Sequence, residues 1–74
     1  MRPTFFKFAL RYRDEKSPFG EFVEGMLEDT LFPRQEKEFD ELSRYVEESI
    51  DVRLDATVFD EMYRLYDDRL DRVY

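Results

Sequence analysis

The chain has 74 residues, a formal net charge of −7, and no cysteine, histidine or tryptophan. A chain this short buries only about 60% of its unfolded surface, so we expect residues 1–74 to form a single domain with a small stability margin. The absence of cysteine excludes disulfides and thiolate metal sites, and the absence of histidine removes the commonest general base. We therefore predict a protein that is not an enzyme and that binds no cofactor or metal.

The charged residues are divided unevenly along the chain. Residues 1–13 carry four bases and no acid, whereas the remaining residues carry all 19 acids and the other 8 bases. Such a surface repels nucleic acid and favours basic partners, so binding to duplex nucleic acid is not expected. Charges also interrupt every apolar stretch before it reaches the length of a membrane span or a signal-peptide core. We predict a soluble, cytoplasmic protein with no membrane segment.

The first helix is predicted to begin after Thr4, a residue type that commonly caps helix N-termini. Apolar residues then recur with the spacing of one buried helix face. That face consists of Phe5, Phe8, Ala9 and Tyr12, and it is widened by Phe6 and Leu10. Lys7 and Arg11 lie one turn apart on the remaining polar strip, where they could contact phosphate or an acidic partner.

The second helix is predicted to begin at Ser17 and Pro18, an N-cap followed by proline in the first helical position. Its apolar stripe consists of Phe19, Phe22, Val23, Met26 and Leu27. The opposite face carries Glu21, Glu24 and Glu28. This separation of apolar and acidic residues predicts one buried and one solvent-facing side.

Two features mark the second half of this helix and its end. Gly25 lies off the apolar stripe, so it is either a tolerated weak point or a close contact between helices. Pro33 prevents the helix from continuing and favours an extended backbone at the residue before it. We expect Leu31 and Phe32 to pack inward there as a hydrophobic plug.

The third helix is predicted to run from Arg34 or Glu36 to Ser49. Its inward residues are Phe39, Leu42, Val46 and Ile50, and its outer face carries Asp40, Arg44 and Glu48. These charges have the spacing of i, i+4 ion pairs. The residues that follow break the helical pattern, but Val52 and Leu54 predict a bend that still contacts the core.

The fourth helix has the clearest pattern in the chain. Thr57 and Asp60 resemble a capping box with Asp in place of Glu. One face consists of Phe59, Met62, Tyr63, Tyr66, Leu70 and Val73, and the opposite face alternates in sign through Asp60, Arg64, Asp68 and Arg72. Across the four helices we expect five aromatic residues to be buried within mutual reach: Phe8, Phe22, Phe39, Phe59 and Tyr66.

Several of these segments together resemble the YozE-like (UPF0346-type) family of small proteins from Gram-positive bacteria. The matching stretches are FFKFALRYR at 5–13, the segment 22–33, ELSRYVE at 41–47, and the segment from 59 to 66. The family usually has Trp where this chain has Tyr63. The resemblance implies an all-α, irregular four-helix bundle similar to the sterile alpha motif. It implies no activity beyond a capacity for protein or nucleic-acid binding.

Acidic side chains near the end of the second helix allow two interpretations. Acids are unfavourable near a helix C-terminus, so Glu28 and Asp29 are expected to form an ion pair with Arg11 or Arg13, or otherwise to form an exposed contact patch. Carboxylate groups that could be considered as metal ligands are Glu24, Glu28 and Asp29, or Asp67, Asp68 and Asp71. Helical carboxylates without a calcium-loop geometry are more typical of a solvated face.

The composition and the helical faces lead to one leading hypothesis and two alternatives. The leading hypothesis is a protein-interaction module that docks a basic partner protein through its acidic helical surface, with contacts from Glu21, Glu24 and Glu28. One alternative is a nucleic-acid-binding module that uses Lys7 and Arg11 of the basic first helix. The other is an acidic DNA mimic that inhibits a nucleic-acid-binding protein. The sequence does not identify the partner or the oligomeric state.

Overall fold

The computed structural model describes the backbone of residues 3–71 and the side chains of residues 3–68. The helices in this range are α1 (Phe5–Ala9), α2 (Pro18–Glu28), α3 (Phe39–Glu48) and α4 (Ala56–Asp71), and a 3₁₀ turn at Leu10–Tyr12 extends α1. Helix α4 packs against α1, α2 and α3, so it is the central element of the bundle. The prediction of a small, all-α bundle of four helices is confirmed.

Side chains at the helix N-termini explain where three of the helices begin. Thr4 Oγ1 accepts a hydrogen bond from the Lys7 N–H at 3.2 Å, and Ser17 Oγ accepts one from the Gly20 N–H at 3.4 Å, both as predicted. The predicted cap of α4 was wrong. Asp55 Oδ1, not the Thr57 side chain, accepts hydrogen bonds from the first-turn N–H groups of residues 57 and 58, at 2.8 and 3.1 Å. Thr57 already lies inside that first turn.

The core is a cluster of aromatic rings around Phe5, which is fully buried. Its ring centroid lies 5.2–6.4 Å from those of Phe22, Phe59, Tyr63 and Tyr66. Ring pairs at such distances stabilise a small core beyond the area that they bury.

Four of the five aromatic residues predicted to be buried are confirmed: Phe8, Phe22, Phe59 and Tyr66. Phe39 differs, because 39% of it remains exposed. It is the first residue of α3, where only one side of the ring meets the core. That side stacks on Phe59 at 5.6 Å. Phe39 therefore packs on the edge of the core and stays partly exposed.

Helix α3 is shorter at both ends than the spacing of its residues predicts. It begins at Phe39, because Glu36 Oε2 accepts the N–H groups of residues 37 and 38 at 3.1 and 3.0 Å and so forms a turn there. It ends at Glu48, since Ser49 has an extended backbone. Ile50, predicted to face inward, is consequently 98% exposed.

The loops that flank α3 place some apolar residues inside and others in solvent. Phe32 is buried as predicted, but Leu31 is 80% exposed because the Asp29 side chain accepts the Leu31 N–H and turns the chain. After α3, Leu54 is buried as predicted, whereas Val52 is 90% exposed. The predicted inward positions of Leu31 and Val52 were therefore wrong.

Two glycines permit close backbone packing. A Cβ added to Gly20 would lie 1.8 Å from the Glu15 carbonyl oxygen, so the linker between α1 and α2 rests directly on the first turn of α2. A Cβ added to Gly25 would lie 3.0 Å from Leu54 Cδ2. Gly25 therefore makes a close contact, but with the loop between α3 and α4 and not, as predicted, with another helix.

Within residues 3–71, none of the helices is both long enough and apolar enough to cross a lipid bilayer.

Candidate functional site

Helices α2 and α3 present a strongly acidic surface. The two helices together contain seven acidic side chains and one base, Arg44. All seven acids are exposed: Glu21, Glu24, Glu28, Asp40, Glu41, Glu47 and Glu48. We call these seven residues the acidic surface. The only base on the two helices, Arg44, lies 3.9 Å from Glu41 rather than bridging Asp40 and Glu48 as the spacing predicts.

Glu21 and Glu24 lie one turn apart on α2 and line a cleft of about 740 Å³, which we call the linker cleft. Its other wall is the linker between α1 and α2, which contributes Arg13 and Lys16. Helix α2 itself carries no base, but the linker brings two bases into the cleft with these glutamates. The cleft combines carboxylates with two long cationic side chains. Such a surface is suited to a charged partner.

Glu28, the third predicted contact residue, lies apart from that cleft. Its Oε1 accepts a hydrogen bond from Arg53 Nη2 at 2.9 Å. The predicted ion pair with Arg11 or Arg13 was therefore wrong, because the loop after α3 brings Arg53 to this end of α2. The guanidinium of Arg11 instead lies 4.6 Å from the centre of the Phe8 ring.

Arg53 also connects this end of α2 to its own loop. Its Nη2 donates to Asp51 Oδ2 at 2.9 Å, and its backbone N–H donates to Asp51 Oδ1 at the same distance. The side-chain and backbone hydrogen bonds from Arg53 lower the pKa of Asp51 below its ordinary value, and the side-chain bonds to Asp51 and Glu28 raise the pKa of Arg53. The loop between α3 and α4 is thus held by charge-assisted hydrogen bonds.

Asp29 has a different partner from the one that its sequence position predicts. Its carboxylate accepts hydrogen bonds from the Tyr45 hydroxyl at 2.5 Å and from the Leu31 N–H at 2.9 Å. The bond to the carboxylate, together with burial, raises the pKa of Tyr45 to about 12. Tyr45 and Asp29 are 16 residues apart, so helical spacing gives no signal for this contact.

These contacts surround a second cleft of about 550 Å³ between the C-terminal ends of α2 and α3. The residues that line it are Glu28, Asp29, Tyr45, Glu48, Ser49, Ile50, Asp51 and Arg53. The three glutamates predicted to act together are therefore divided between two clefts, two in the first and one in the second. Glu21 and Glu24 remain a pair, whereas Glu28 is engaged by Arg53.

The predicted basic strip of α1 gains a residue in the structure. Lys7 and Arg11 are both exposed. The guanidinium of Arg34 lies 4.7 Å from the centre of the Phe6 ring, which brings a third cation to α1. The sequence signal was indirect: Arg34 follows Phe32 and Pro33, and Phe32 packs beside Phe6 at a centroid distance of 6.1 Å.

Within the described residues, no three carboxylates come close enough together to hold a metal ion. Of the two acidic groups considered above, the first, around Glu24 and Glu28, lies entirely within that range. The second includes Asp71, whose side chain lies outside the described residues.

Comparison with known proteins identifies the family. A family model described as the YozE SAM-like fold matches residues 4–68, which is most of the chain. The chain belongs to the YozE SAM-like family. The predicted resemblance and its sterile-alpha-motif-like fold are confirmed.

Relatives in the YozE family are similar in length to this chain. A UPF0346 protein of Staphylococcus haemolyticus is 36% identical over 63 residues, which cover 85% of this chain and 86% of the relative. A UPF0346 protein of Limosilactobacillus reuteri is 35% identical over 72 residues, which cover 95% and 99%. One from Staphylococcus saprophyticus is 38% identical over 63 residues, which cover 85% and 86%. No solved structure is a significant match. The family is uncharacterised, so membership supports the fold and assigns no activity.

Proposed function

We propose that this protein is a non-enzymatic, cytoplasmic interaction module that binds a basic partner protein through the acidic surface of α2 and α3. The observation that carries the proposal is that all seven acids on these helices are exposed, with only one base among them. Charges that only keep a protein soluble are commonly interspersed in sign. Helix α4 shows that pattern through Asp60, Arg64 and Asp68, and α2 and α3 do not.

The acidic surface acts in this proposal by steering a basic partner into contact. Exposed charges interact over about 8 Å at physiological ionic strength, so several like charges on adjacent helices attract a cationic surface before contact is made. Charges of this kind mainly set the association rate and its salt dependence. Glu21 and Glu24 are the best-placed contact residues, since Glu28 is already bonded to Arg53.

The experiment that tests this function is affinity purification of partners from the native cell with matched variants as bait. The double variant Glu21→Lys/Glu24→Lys reverses the pair in the linker cleft, and Asp60→Lys is a charge-reversal control on the exposed face of α4. We expect a basic protein that is recovered with the wild type and with Asp60→Lys but is strongly depleted with the double variant. Recovery of the same proteins with all three baits would contradict the proposal.

A second candidate function, nucleic-acid binding through α1, is favoured by one observation. Arg34, at the Phe6 ring, adds a third exposed cation to the surface of α1 that carries Lys7 and Arg11. Non-specific binding depends on cations that displace counterions from phosphates, and three cations on a protein of this net charge provide little of that affinity. We expect weak or no binding of duplex DNA at physiological salt. Micromolar binding that is lost in Lys7→Glu/Arg11→Glu/Arg34→Glu would favour this second function instead.

The DNA-mimic alternative concerns the kind of basic partner. If the recovered partner is itself a nucleic-acid-binding protein and this protein is a DNA mimic, then this protein and duplex DNA compete for the partner's nucleic-acid-binding site. Failure of excess duplex DNA to displace the protein from such a partner would contradict this alternative while leaving the interaction function in place.

A further inference from the structure

An apolar groove of about 310 Å³ lies between the first turns of α2 and α4. Pro18 and Phe19 form the α2 side, and Val58 forms the α4 side. Glu15 and Glu61 lie at its borders, and both are exposed. A concave apolar site with charged groups at its border has the composition of a binding pocket, at the lower end of the usual size range. We call it the α2–α4 groove.

The α2–α4 groove adjoins the linker cleft that contains Glu21 and Glu24. Three residues line both: Glu15, Ser17 and Pro18. The shared wall therefore places an apolar site next to two carboxylates of the acidic surface. A single extended segment of a partner could occupy both.

The shared wall is held firmly in place. Ser17 Oγ donates to Glu15 Oε1 at 2.7 Å, and the Glu15 N–H donates to the Tyr12 carbonyl at 3.0 Å. Gly20 allows the linker to lie directly on α2, where any side chain would collide with the Glu15 carbonyl. Below the groove, Phe19 packs edge-on against Tyr12 at 5.1 Å. A preformed site of this kind loses little conformational entropy when it binds.

We infer that the α2–α4 groove binds an aliphatic side chain from the partner protein, and that basic residues next to this side chain occupy the linker cleft. The apolar walls select the aliphatic group. The side chains that line the groove and the linker cleft keep a net negative charge, which selects a basic segment over an acidic or neutral one. They comprise two bases, Arg13 and Lys16, and five acids: Asp14, Glu15, Glu21, Glu24 and Glu61. This inference rests on the proposed function and adds the chemistry of the segment that the partner presents.

The test uses three short peptides as probes of isotope-labelled protein, followed by amide chemical shifts. The first is acetyl-Leu-Lys-Lys-amide, the second replaces Leu with Ser, and the third replaces both Lys residues with Gln. We expect saturable shifts from the first peptide at the amides of Phe19 and Val58 and at those of Glu21 and Glu24. The Ser and Gln peptides should each bind with an affinity lower by about tenfold or more, because each loses one of the two contacts.

Protein variants locate the aliphatic contact. Val58→Ser removes an apolar wall of the groove, and Val52→Ser is the matched control, since Val52 is an exposed valine that does not line it. Because Val58 is partly buried, Glu61→Lys serves as a second variant that alters the exposed border without removing core area. We expect Val58→Ser and Glu61→Lys to weaken binding of the Leu peptide several-fold, and Val52→Ser to leave it unchanged.

The outcomes separate this inference from the proposed function. If the Leu and Ser peptides bind equally, with shifts confined to the acidic surface, the groove inference fails and electrostatic docking remains. If the partner binds Glu21→Lys/Glu24→Lys normally while the groove still binds the Leu peptide, the proposed function fails instead. An absence of saturable shifts with the Leu peptide, or equal losses in Val58→Ser and Val52→Ser, overturns the groove inference. A second copy of the protein as occupant would appear as concentration-dependent shifts at the groove without any peptide, which also overturns it.

Discussion

The core-facing residues of α4 and two apolar residues of the loop before it, Ile50 and Val52, lie in opposite environments, although Leu54 of the same loop is buried. The buried positions of α4 recur at helical spacing: Phe59, Met62 and Tyr66. Ile50 and Val52 in the loop are equally apolar, yet they are 98% and 90% exposed. Helical spacing directs a side chain only while the backbone stays helical, and Ser49 leaves α3 with an extended backbone. The hydrogen bonds of Asp51 then set the path of the loop.

The largest mutational effect is expected at the buried residues of α4. Phe59→Ala removes a fully buried ring that contacts rings from α1, α2 and α3. We expect a loss of about 3–5 kcal/mol in the free energy of unfolding, comparable with the whole stability of a small domain. Phe39→Ala should cost clearly less, because part of that ring is already in solvent. Urea denaturation measures both, and an equal loss in the two variants would show that Phe39 belongs to the core.

The next largest effect concerns the close contact beneath the linker. Gly20→Ala places a Cβ 1.8 Å from a backbone carbonyl oxygen, whereas Gly25→Ala meets side-chain atoms of Leu54 and Arg53 at 3.0–3.3 Å. We expect Gly20→Ala to destabilise by about 1–3 kcal/mol. In Gly25→Ala the higher helix propensity of alanine, about 1 kcal/mol, offsets much of the strain. Thermal unfolding of the two variants measures the order, and the reverse order would contradict this account of the linker.

A smaller effect is expected at the contact between α3 and the end of α2. Tyr45→Phe removes the hydroxyl that donates to Asp29, at a cost of about 1 kcal/mol. The pKa of Tyr45 is raised from 10.0 to about 12, so its stabilising contribution is complete below pH 10 and is lost as the pH rises through 12. The difference in melting temperature between wild type and variant should disappear over that interval. A difference that persists unchanged above pH 12 would show that the hydroxyl proton contributes nothing.

The smallest effect on stability is expected in the exposed loop. Asp51→Asn keeps the oxygen that accepts the Arg53 N–H but removes the charge that pairs with the guanidinium. Arg53 lowers the pKa of Asp51 below 3.8, so the stabilisation is complete above that pH and is lost as the pH falls through the lower value. We expect a small decrease in melting temperature at neutral pH that vanishes in acid. Asp60→Asn, at an exposed carboxylate outside these contacts, is the control for loss of one negative charge.

The sequence predicted the helices well because their information is local. The caps at Thr4 and Ser17, the buried part of the α2 stripe and the buried face of α4 each depend on residues within a few positions of one another. Leu27, predicted as the last residue of that stripe, is 39% exposed. The family resemblance then supplied the arrangement of the helices, which periodicity alone does not. The predicted ends of α3 were less accurate. The Glu36 carboxylate forms a local hydrogen bond before the helix begins, and the extended backbone of Ser49 ends it.

The candidate site could be predicted only in part. The exposed position of Glu21 and Glu24 follows directly from the α2 stripe. The engagement of Glu28 by Arg53 does not, because the two residues are 25 positions apart and meet only through the path of a loop. The α2–α4 groove depends in the same way on how two helix starts meet in space. Long-range contacts of exposed side chains leave no periodic signal in a single sequence.

The most direct test of the proposed interaction is the salt dependence of partner association. With a recovered partner, stopped-flow measurement gives the association rate constant of the wild type, of Glu21→Lys/Glu24→Lys, and of the α4 control Asp60→Lys. The account predicts that the double variant associates about tenfold or more slowly at low salt and with a flatter salt dependence, that the control stays close to the wild type, and that all three melt at similar temperatures. Equal association rates with equal salt dependence in all three proteins would contradict it, and the acidic surface would then serve only to keep the protein in solution.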